Sequence, residues 1–145
     1  MIQFFMPMVP PTTTVQEHGV AVVNGKPKFY DTPELKAARQ KYEAHLARHV
    51  PKEKITDAVQ LTTKWIWPFP DKKMQQLRVW GHTDYAEYKT SRPDTDNLIK
   101  LLKDCMTRVG FWSDDAIVAS EVTEKFYGMK PGVYVKVEVI DQWTP

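Results

Sequence analysis

The stretch RPDTDNLIKLLKDCMTRVG, residues 92–110, carries the clearest structural signal in this sequence. From Asp96 to Val109, apolar side chains recur at intervals of three and four residues, which is the spacing of one face of an α-helix. Gly110 follows directly and predicts the end of the helix, because glycine readily adopts the left-handed conformation found after a last helical turn. We therefore predict a helix over this range whose buried stripe consists of Leu98, Leu101, Leu102, Cys105 and Val109.

On both sides of this helix the sequence predicts further helices and strands. Asn24-Gly25, between two β-prone runs, is typical of a two-residue hairpin turn. Thr32-Pro33 predicts a helix start, because a hydroxyl caps the first turn and proline suits its first position. The predicted elements are a strand at Ile2 to Val9, a hairpin at Gly19 to Tyr30, a helix from Pro33 to His49, a strand at Ala58 to Trp67, a short helix at Asp71 to Val79, an exposed loop at Gly81 to Arg92, the helix above, and strands at Ala116 to Phe126 and Val133 to Ile140.

The order of these elements predicts one α/β or α+β domain over residues 1–145, with helices packed on a mixed β-sheet. A chain of this length is typical of a single hydrophobic core. The only cysteine, Cys105, excludes an internal disulfide framework and a cysteine-rich zinc module. Pro7, Pro10 and Pro11 interrupt the apolar start, so we expect neither a signal peptide nor a membrane span, and we expect a cytoplasmic protein.

The charge of the chain is nearly balanced but unevenly distributed. Twenty Lys and Arg against eighteen Asp and Glu give a net charge of +2. Residues 24–54 hold eight basic and four acidic side chains, whereas residues 94–115 hold five aspartates. A basic part beside an acidic focus suits a protein that binds both a polyanion and a cation. The candidate basic surface lies on the first predicted helix, at Lys36, Arg39, Lys41 and Arg48.

The chemistry-bearing residues cluster at the start of the second long helix. Asp94 and Asp96 lie two residues apart, so both carboxylates can converge on one hard cation if Asp94 precedes the helix in extended backbone. Lys100, four residues after Asp96, falls on the same helical face. Asp114-Asp115 follows the helix stop. The structural alternative is a helix cap, a charge that complements the helix dipole and a solvated turn.

Taken together, these motifs resemble the RusA family of Holliday junction resolvases. The resemblance rests on PDTDNL at residues 93–98 with Lys100, and on GFW at residues 110–112 before Asp114-Asp115. It implies a RusA-like fold. It also assigns the active site to Asp94, Asp96, Lys100 and Asp115, with Asp94, Asp96 and Asp115 as the metal ligands.

The resemblance implies an endodeoxyribonuclease that resolves four-way DNA junctions by paired symmetric nicks in recombination and repair, and that acts as a homodimer. Mg²⁺ is the expected cofactor, with Mn²⁺ as a substitute, and carboxylates without Cys or His partners favour these ions over zinc. Two alternatives stay open: a nuclease for flaps or forks, and a junction-binding protein that cuts nothing. The candidate DNA contacts are Lys72, Lys73, Arg78, Lys89 and Arg92.

Overall fold

A computed structural model describes residues 1–12 and 18–141 of the chain. The described residues form a mixed α+β fold, as the sequence predicts. In chain order the elements are β1 (Ile2–Met6), β2 (His18–Val23), β3 (Lys26–Asp31), α1 (Pro33–Leu46), β4 (Val59–Pro68), α2 (Asp71–Val79), β5 (Ala86–Tyr88), α3 (Thr95–Val109), a short 3-10 helix (Asp115–Ile117), β6 (Val118–Gly128) and β7 (Gly132–Val139).

Two compact units divide these elements between them. The first unit comprises Met1–Pro10, Thr56–Ser91 and Ala116–Pro145, and the second comprises Pro11–Ile55 and Arg92–Asp115. Each unit is therefore assembled from segments that are distant in the sequence.

A five-stranded sheet, in the order β1-β7-β4-β6-β5, forms the first unit. The β4 and β6 strands pair in parallel and the other neighbours pair antiparallel, so the predicted mixed sheet is confirmed. Alternate side chains of β4 are buried, which confirms the predicted strand. Its buried face consists of Val59, Leu61, Thr63, Trp65 and Trp67. The one polar side chain on that face is satisfied, because Trp65 Nε1 donates to Thr63 Oγ1 at 2.8 Å.

The short helix α2 has the predicted bounds and is anchored in the first unit by a small apolar cluster. Met74 and Leu77 are buried against Phe69, with Tyr127 and Met129 packed beside them. The loop predicted after α2 is interrupted by β5, which pairs antiparallel with β6. Three residues of edge strand are too short to leave a readable alternation in the sequence.

The second unit contains the predicted hairpin of β2 and β3. Asn24 and Gly25 both have positive φ, 53° and 74°, as a type I′ turn requires. In α1, Thr32 Oγ1 accepts from the Leu35 N–H at 3.2 Å and so caps the helix as predicted. One apolar face of α1 is buried, and it consists of Leu35, Ala38, Tyr42 and Leu46.

Helix α3 is strongly amphipathic and packs beside α1 within this unit. Four of the five predicted positions, Leu98, Leu101, Leu102 and Cys105, are buried, and Ile99 and Met106 join them. The fifth, Val109 in the last turn, is only half-buried. Gly110 ends the helix with φ 105°, and the Phe111 N–H reaches back to the Met106 oxygen at 3.0 Å.

The helices of the described residues are short. The longest, α3, has 15 residues, whereas a helix needs about 20 apolar residues to cross a bilayer. No helix within residues 1–12 and 18–141 is long and apolar enough to do so.

Replacing Gly132 by alanine should destabilise the protein more than replacing Gly110. A Cβ on Gly132 would lie 2.6 Å from the main-chain oxygen of Met6 and would overlap the Phe5 ring. A Cβ on Gly110 meets nothing closer than Val50 Cγ1 at 3.8 Å, so its cost is the positive φ alone. We expect losses of about 3 kcal/mol for Gly132→Ala and about 1 kcal/mol for Gly110→Ala, measured by urea unfolding. Equal losses would contradict the predicted clash.

Candidate active site

The start of α3 presents the predicted pair of carboxylates and the predicted lysine to solvent. Asp94 precedes the helix in extended backbone, with φ −74° and ψ 150°, and its main-chain oxygen accepts from the Leu98 N–H at 3.2 Å. Asp96 is the second helical residue, and Lys100 lies one turn further on the same face. All three of Asp94, Asp96 and Lys100 are exposed. The buried stripe of α3 therefore keeps these side chains in water.

None of these three side chains is hydrogen-bonded or ion-paired with another described residue. The Asp94 carboxylate does not cap α3, although it occupies the cap position. Within the residues that the structure describes, the side chains of Asp94, Asp96 and Lys100 take part in no hydrogen bond and no ion pair. Of the structural alternative, the side-chain cap by Asp94 is therefore not seen among the described residues, whereas Asp96 does lie in the first turn, where its charge complements the helix dipole.

The donor set at the start of α3 fits a hard divalent cation. Carboxylate oxygens are the ligands that Mg²⁺ prefers, and this ion typically takes one or two carboxylates together with water and substrate phosphate. Asp94 and Asp96 are exposed and unengaged, so they would hold such an ion without losing a contact.

The third predicted ligand, Asp115, lies in a groove whose lining does not include the other two. In the described part of the chain, no three Asp, Glu, His or Cys side chains are grouped closely enough to hold a metal. The expected convergence of Asp94, Asp96 and Asp115 is thus not seen here, and the three-aspartate set stays a prediction.

The groove at Asp115 lies within the second unit and has a volume of about 460 Å³. It combines four carboxylates with two guanidinium groups. Its lining residues are Asp31, Arg39, Asp104, Thr107, Arg108, Ser113, Asp114 and Asp115.

Arg39 neutralises two of the four carboxylates in this groove. Its Nε lies 3.0 Å from Asp31 Oδ2, and its Nη1 lies 3.8 Å from Asp104 Oδ2. The Arg39 side chain is only 15% exposed. Its assignment to a free basic face of α1 is therefore wrong, because helical spacing cannot show that β3 and α3 place acids beside it. Lys36, Lys41 and Arg48 do remain exposed.

The five candidate DNA contacts fall into two groups in the structure. Lys72, Arg78 and Arg92 are exposed. Lys73 instead lies 2.9 Å from Glu87 Oε1 and over the Phe69 ring. The hydrogen bond to Glu87 raises the pKa of Lys73, and the same bond lowers the pKa of Glu87. The positive charge of Lys73 is thus already paired with the Glu87 carboxylate.

Lys89 is held differently. Its ammonium lies over the rings of Trp67 and Tyr127 and bonds to the hydroxyls of Ser91 and Tyr127. The sequence predicts Lys89 as a DNA contact but does not show which residues surround it. Period-two alternation places Lys125 and Tyr127 on one face of β6, but only the pairing of β5 with β6 shows which lysine they meet.

The single cysteine is not part of any reactive site. Cys105 is fully buried on the inner face of α3. Burial, with the nearby negative charge of Glu43 as a lesser cause, raises the pKa of its thiol to about 12. The reactive form of cysteine is the thiolate, which such a pKa suppresses at neutral pH. The predicted packed thiol is confirmed.

Comparison with known proteins gives three findings. A family model described as "Endodeoxyribonuclease RusA" matches residues 8–138, a range that contains every candidate residue named above. The "Crossover junction endodeoxyribonuclease rusA" of Lactococcus phage r1t is 32% identical over 127 residues, which cover 86% of this chain and 88% of the phage protein. The "Uncharacterized protein YqaN" of Bacillus subtilis (strain 168) is 26% identical over 121 residues, 83% of this chain and 84% of that protein.

Native protein should label very slowly with the thiol reagent DTNB at pH 8. With a thiol pKa of about 12 against the usual 8.5, the thiolate fraction falls by about a thousandfold. We expect the thiol to react at least a hundredfold more slowly in the native protein than in protein unfolded by guanidinium. Because Cys105 is the only cysteine, the signal is unambiguous. Equal rates in both states would contradict a buried, protonated thiol.

Proposed function

The chain belongs to the RusA family of endodeoxyribonucleases, and on that premise we propose that it resolves four-way DNA junctions by paired symmetric nicks that depend on Mg²⁺. The name of its phage relative contains the crossover junction as substrate. The observation that carries the proposal is the state of Asp94, Asp96 and Lys100. They lie exposed at one end of α3, without a structural partner among the described residues.

In this proposal, Asp94 and Asp96 hold the divalent cation, with Asp115 as the third family ligand. The chemistry that a bound Mg²⁺ or Mn²⁺ supplies is Lewis-acid polarisation of the scissile phosphate and acidification of water. The two carboxylates at the start of α3 also repel a bare phosphate. Productive approach of the DNA strand therefore depends on the cation and on basic side chains elsewhere.

Lys100 has a separate role. Its ammonium lies on the same face of α3 as Asp96 and has no described carboxylate partner. A cation held beside the scissile phosphate stabilises the negative charge that develops on the phosphate oxygens in the transition state. We assign this role to Lys100, and we assign the holding of DNA mainly to the exposed Lys72, Arg78 and Arg92.

Two symmetric cuts require two active sites with matching geometry. One chain of 145 residues carries one set of these residues, so we propose that the active form is a two-fold homodimer. Four-way junctions are intermediates of DNA recombination and repair, and we propose that the protein acts in these processes.

A cleavage assay with labelled four-way junction, replication fork and linear duplex DNA tests the proposal. We expect the wild-type protein to make paired symmetric nicks in a labelled four-way junction with Mg²⁺, and none with EDTA. Asp94→Asn and Asp96→Asn should each lower the cleavage rate at least a hundredfold, because each removes one anionic ligand. Asp71→Asn, an exposed aspartate at the first position of α2, is the matched control and should retain full activity.

The same assay separates the alternatives. Equal cutting of a replication fork would shift the function to a nuclease for branched DNA in general. If the protein binds the junction but does not cleave it in Mg²⁺ or Mn²⁺, it is a junction-binding protein and the enzymatic proposal is wrong.

Lys100→Met should lower turnover much more than DNA affinity. A group that acts mainly on transition-state charge is typically worth about a hundredfold in rate, whereas losing it should change junction affinity by about threefold or less. Single-turnover cleavage and binding in EDTA measure the two quantities separately. Lys103→Met, which removes the same charge from the same helix, is the control. A parallel loss of affinity and rate in Lys100→Met would instead make Lys100 a DNA-holding residue.

A further inference from the structure

Lys89 is fixed in place by its neighbours in the first unit. Its main-chain N–H donates to the Lys125 oxygen at 2.9 Å, which holds residue 89 against β6. Its Nζ lies 5.4 Å from the centre of the Trp67 ring and 5.0 Å from that of Tyr127. A lysine whose main chain is bonded to a strand and whose ammonium lies over two aromatic rings has lost much of its rotamer freedom before any ligand arrives.

The charge of Lys89 is not paired with a carboxylate of any residue that the structure describes. All polar partners of its Nζ within the described residues are neutral hydroxyls, those of Ser91 and of Tyr127, the latter at 3.3 Å. Glu87, which lies opposite Tyr127 in the strand register, has its carboxylate bonded to Lys73 and Tyr85. The positive charge of a partly buried ammonium is only partly stabilised by neutral groups, and an oxyanion beside it would neutralise that charge.

The groups around Lys89 converge on Ser91. The Ser91 and Tyr127 hydroxyl oxygens are 3.4 Å apart, and Lys125 Nζ donates to the Ser91 main-chain oxygen at 2.7 Å. The hydrogen bonds of the Tyr127 hydroxyl with Ser91 and Lys89 lower the pKa of Tyr127, against the smaller opposing effects of burial and of the Glu87 carboxylate. Two ammonium groups and two hydroxyls therefore gather within one small surface region.

We infer that Lys89, together with the hydroxyls of Ser91 and Tyr127, binds one backbone phosphate of the DNA substrate. An ammonium and two hydroxyls are three donors for the oxygens of a single phosphate. The identity of the ligand rests on the proposed function, because a nuclease meets phosphate as part of a DNA strand. Lys73 is excluded from this role by its ion pair with Glu87, although it too lies over two aromatic rings, those of Phe69 and Tyr85.

The test compares Lys89→Met with Lys73→Met. Each variant removes one positive charge from a lysine that lies over two rings, and only Lys73 has a carboxylate partner. Affinity for a four-way junction and for a linear duplex is measured by fluorescence anisotropy in EDTA, where no cleavage occurs, over a range of KCl concentrations. We expect Lys89→Met to bind both DNAs about tenfold more weakly and to lower the salt slope by about 0.9, the loss of one phosphate contact. Lys73→Met should change affinity by less than about twofold.

Two conservative variants guard against a folding defect. Lys89→Arg keeps the charge and should retain affinity within about threefold, whereas Tyr127→Phe keeps the ring and should weaken binding by about threefold through the lost donor. Equal weakening by Lys89→Met and Lys73→Met would overturn the inference, since it would show only a long-range charge effect. Binding is measured in EDTA and cleavage in Mg²⁺, so the two proposals fail in different measurements. Loss of the proposed function appears as absent junction cleavage, and loss of the phosphate site appears as unchanged binding by Lys89→Met. Normal cleavage with unchanged Lys89→Met binding would refute this site alone.

Discussion

The buried stripe of α3 determines which of its side chains remain in water. Leu98, Leu101 and Leu102 must face inward, so the opposite face of the same helix carries Asp96 and Lys100. The two faces of an α-helix are rigidly linked, so burying one face fixes the direction of the opposite face. The packing of the second unit therefore also fixes the direction in which the candidate catalytic groups point, and the extended backbone at Asp94 adds a second carboxylate at the helix start.

The protein keeps some of its charges paired and leaves others available. Arg39 is committed to Asp31 and Asp104, and Lys73 is committed to Glu87. The side chains at the start of α3 and the ammonium of Lys89 have no oppositely charged partner in the described part of the chain. Asp94, Asp96 and Lys100 cost little because they are exposed to solvent, whereas Lys89 is partly buried, and both sets are available to interact with a cation or a phosphate. This division separates groups that stabilise the fold from groups that suit a nuclease.

Most elements of the fold were predictable because their signals are local. The Thr32 cap, the Asn24-Gly25 turn and the stop at Gly110 each act within a few residues, and each is found as predicted. Longer elements such as α3 repeat their pattern over several turns. The short strand β5 was missed, because three residues carry no periodicity and the strand exists only through its pairing with β6.

By itself, the sequence determined the mixed α+β class, the helix that carries Asp96 and Lys100, and the motifs that identify a RusA-type endodeoxyribonuclease. Only the tertiary structure decided which charges are already paired. Arg39 meets its acids from β3 and α3, and Lys89 meets Trp67 of β4 and Tyr127 of β6. The physical reason is range: caps and periodicity depend on neighbours in the chain. Ion pairs and hydroxyl contacts depend on strand register and helix packing, which join residues far apart in sequence.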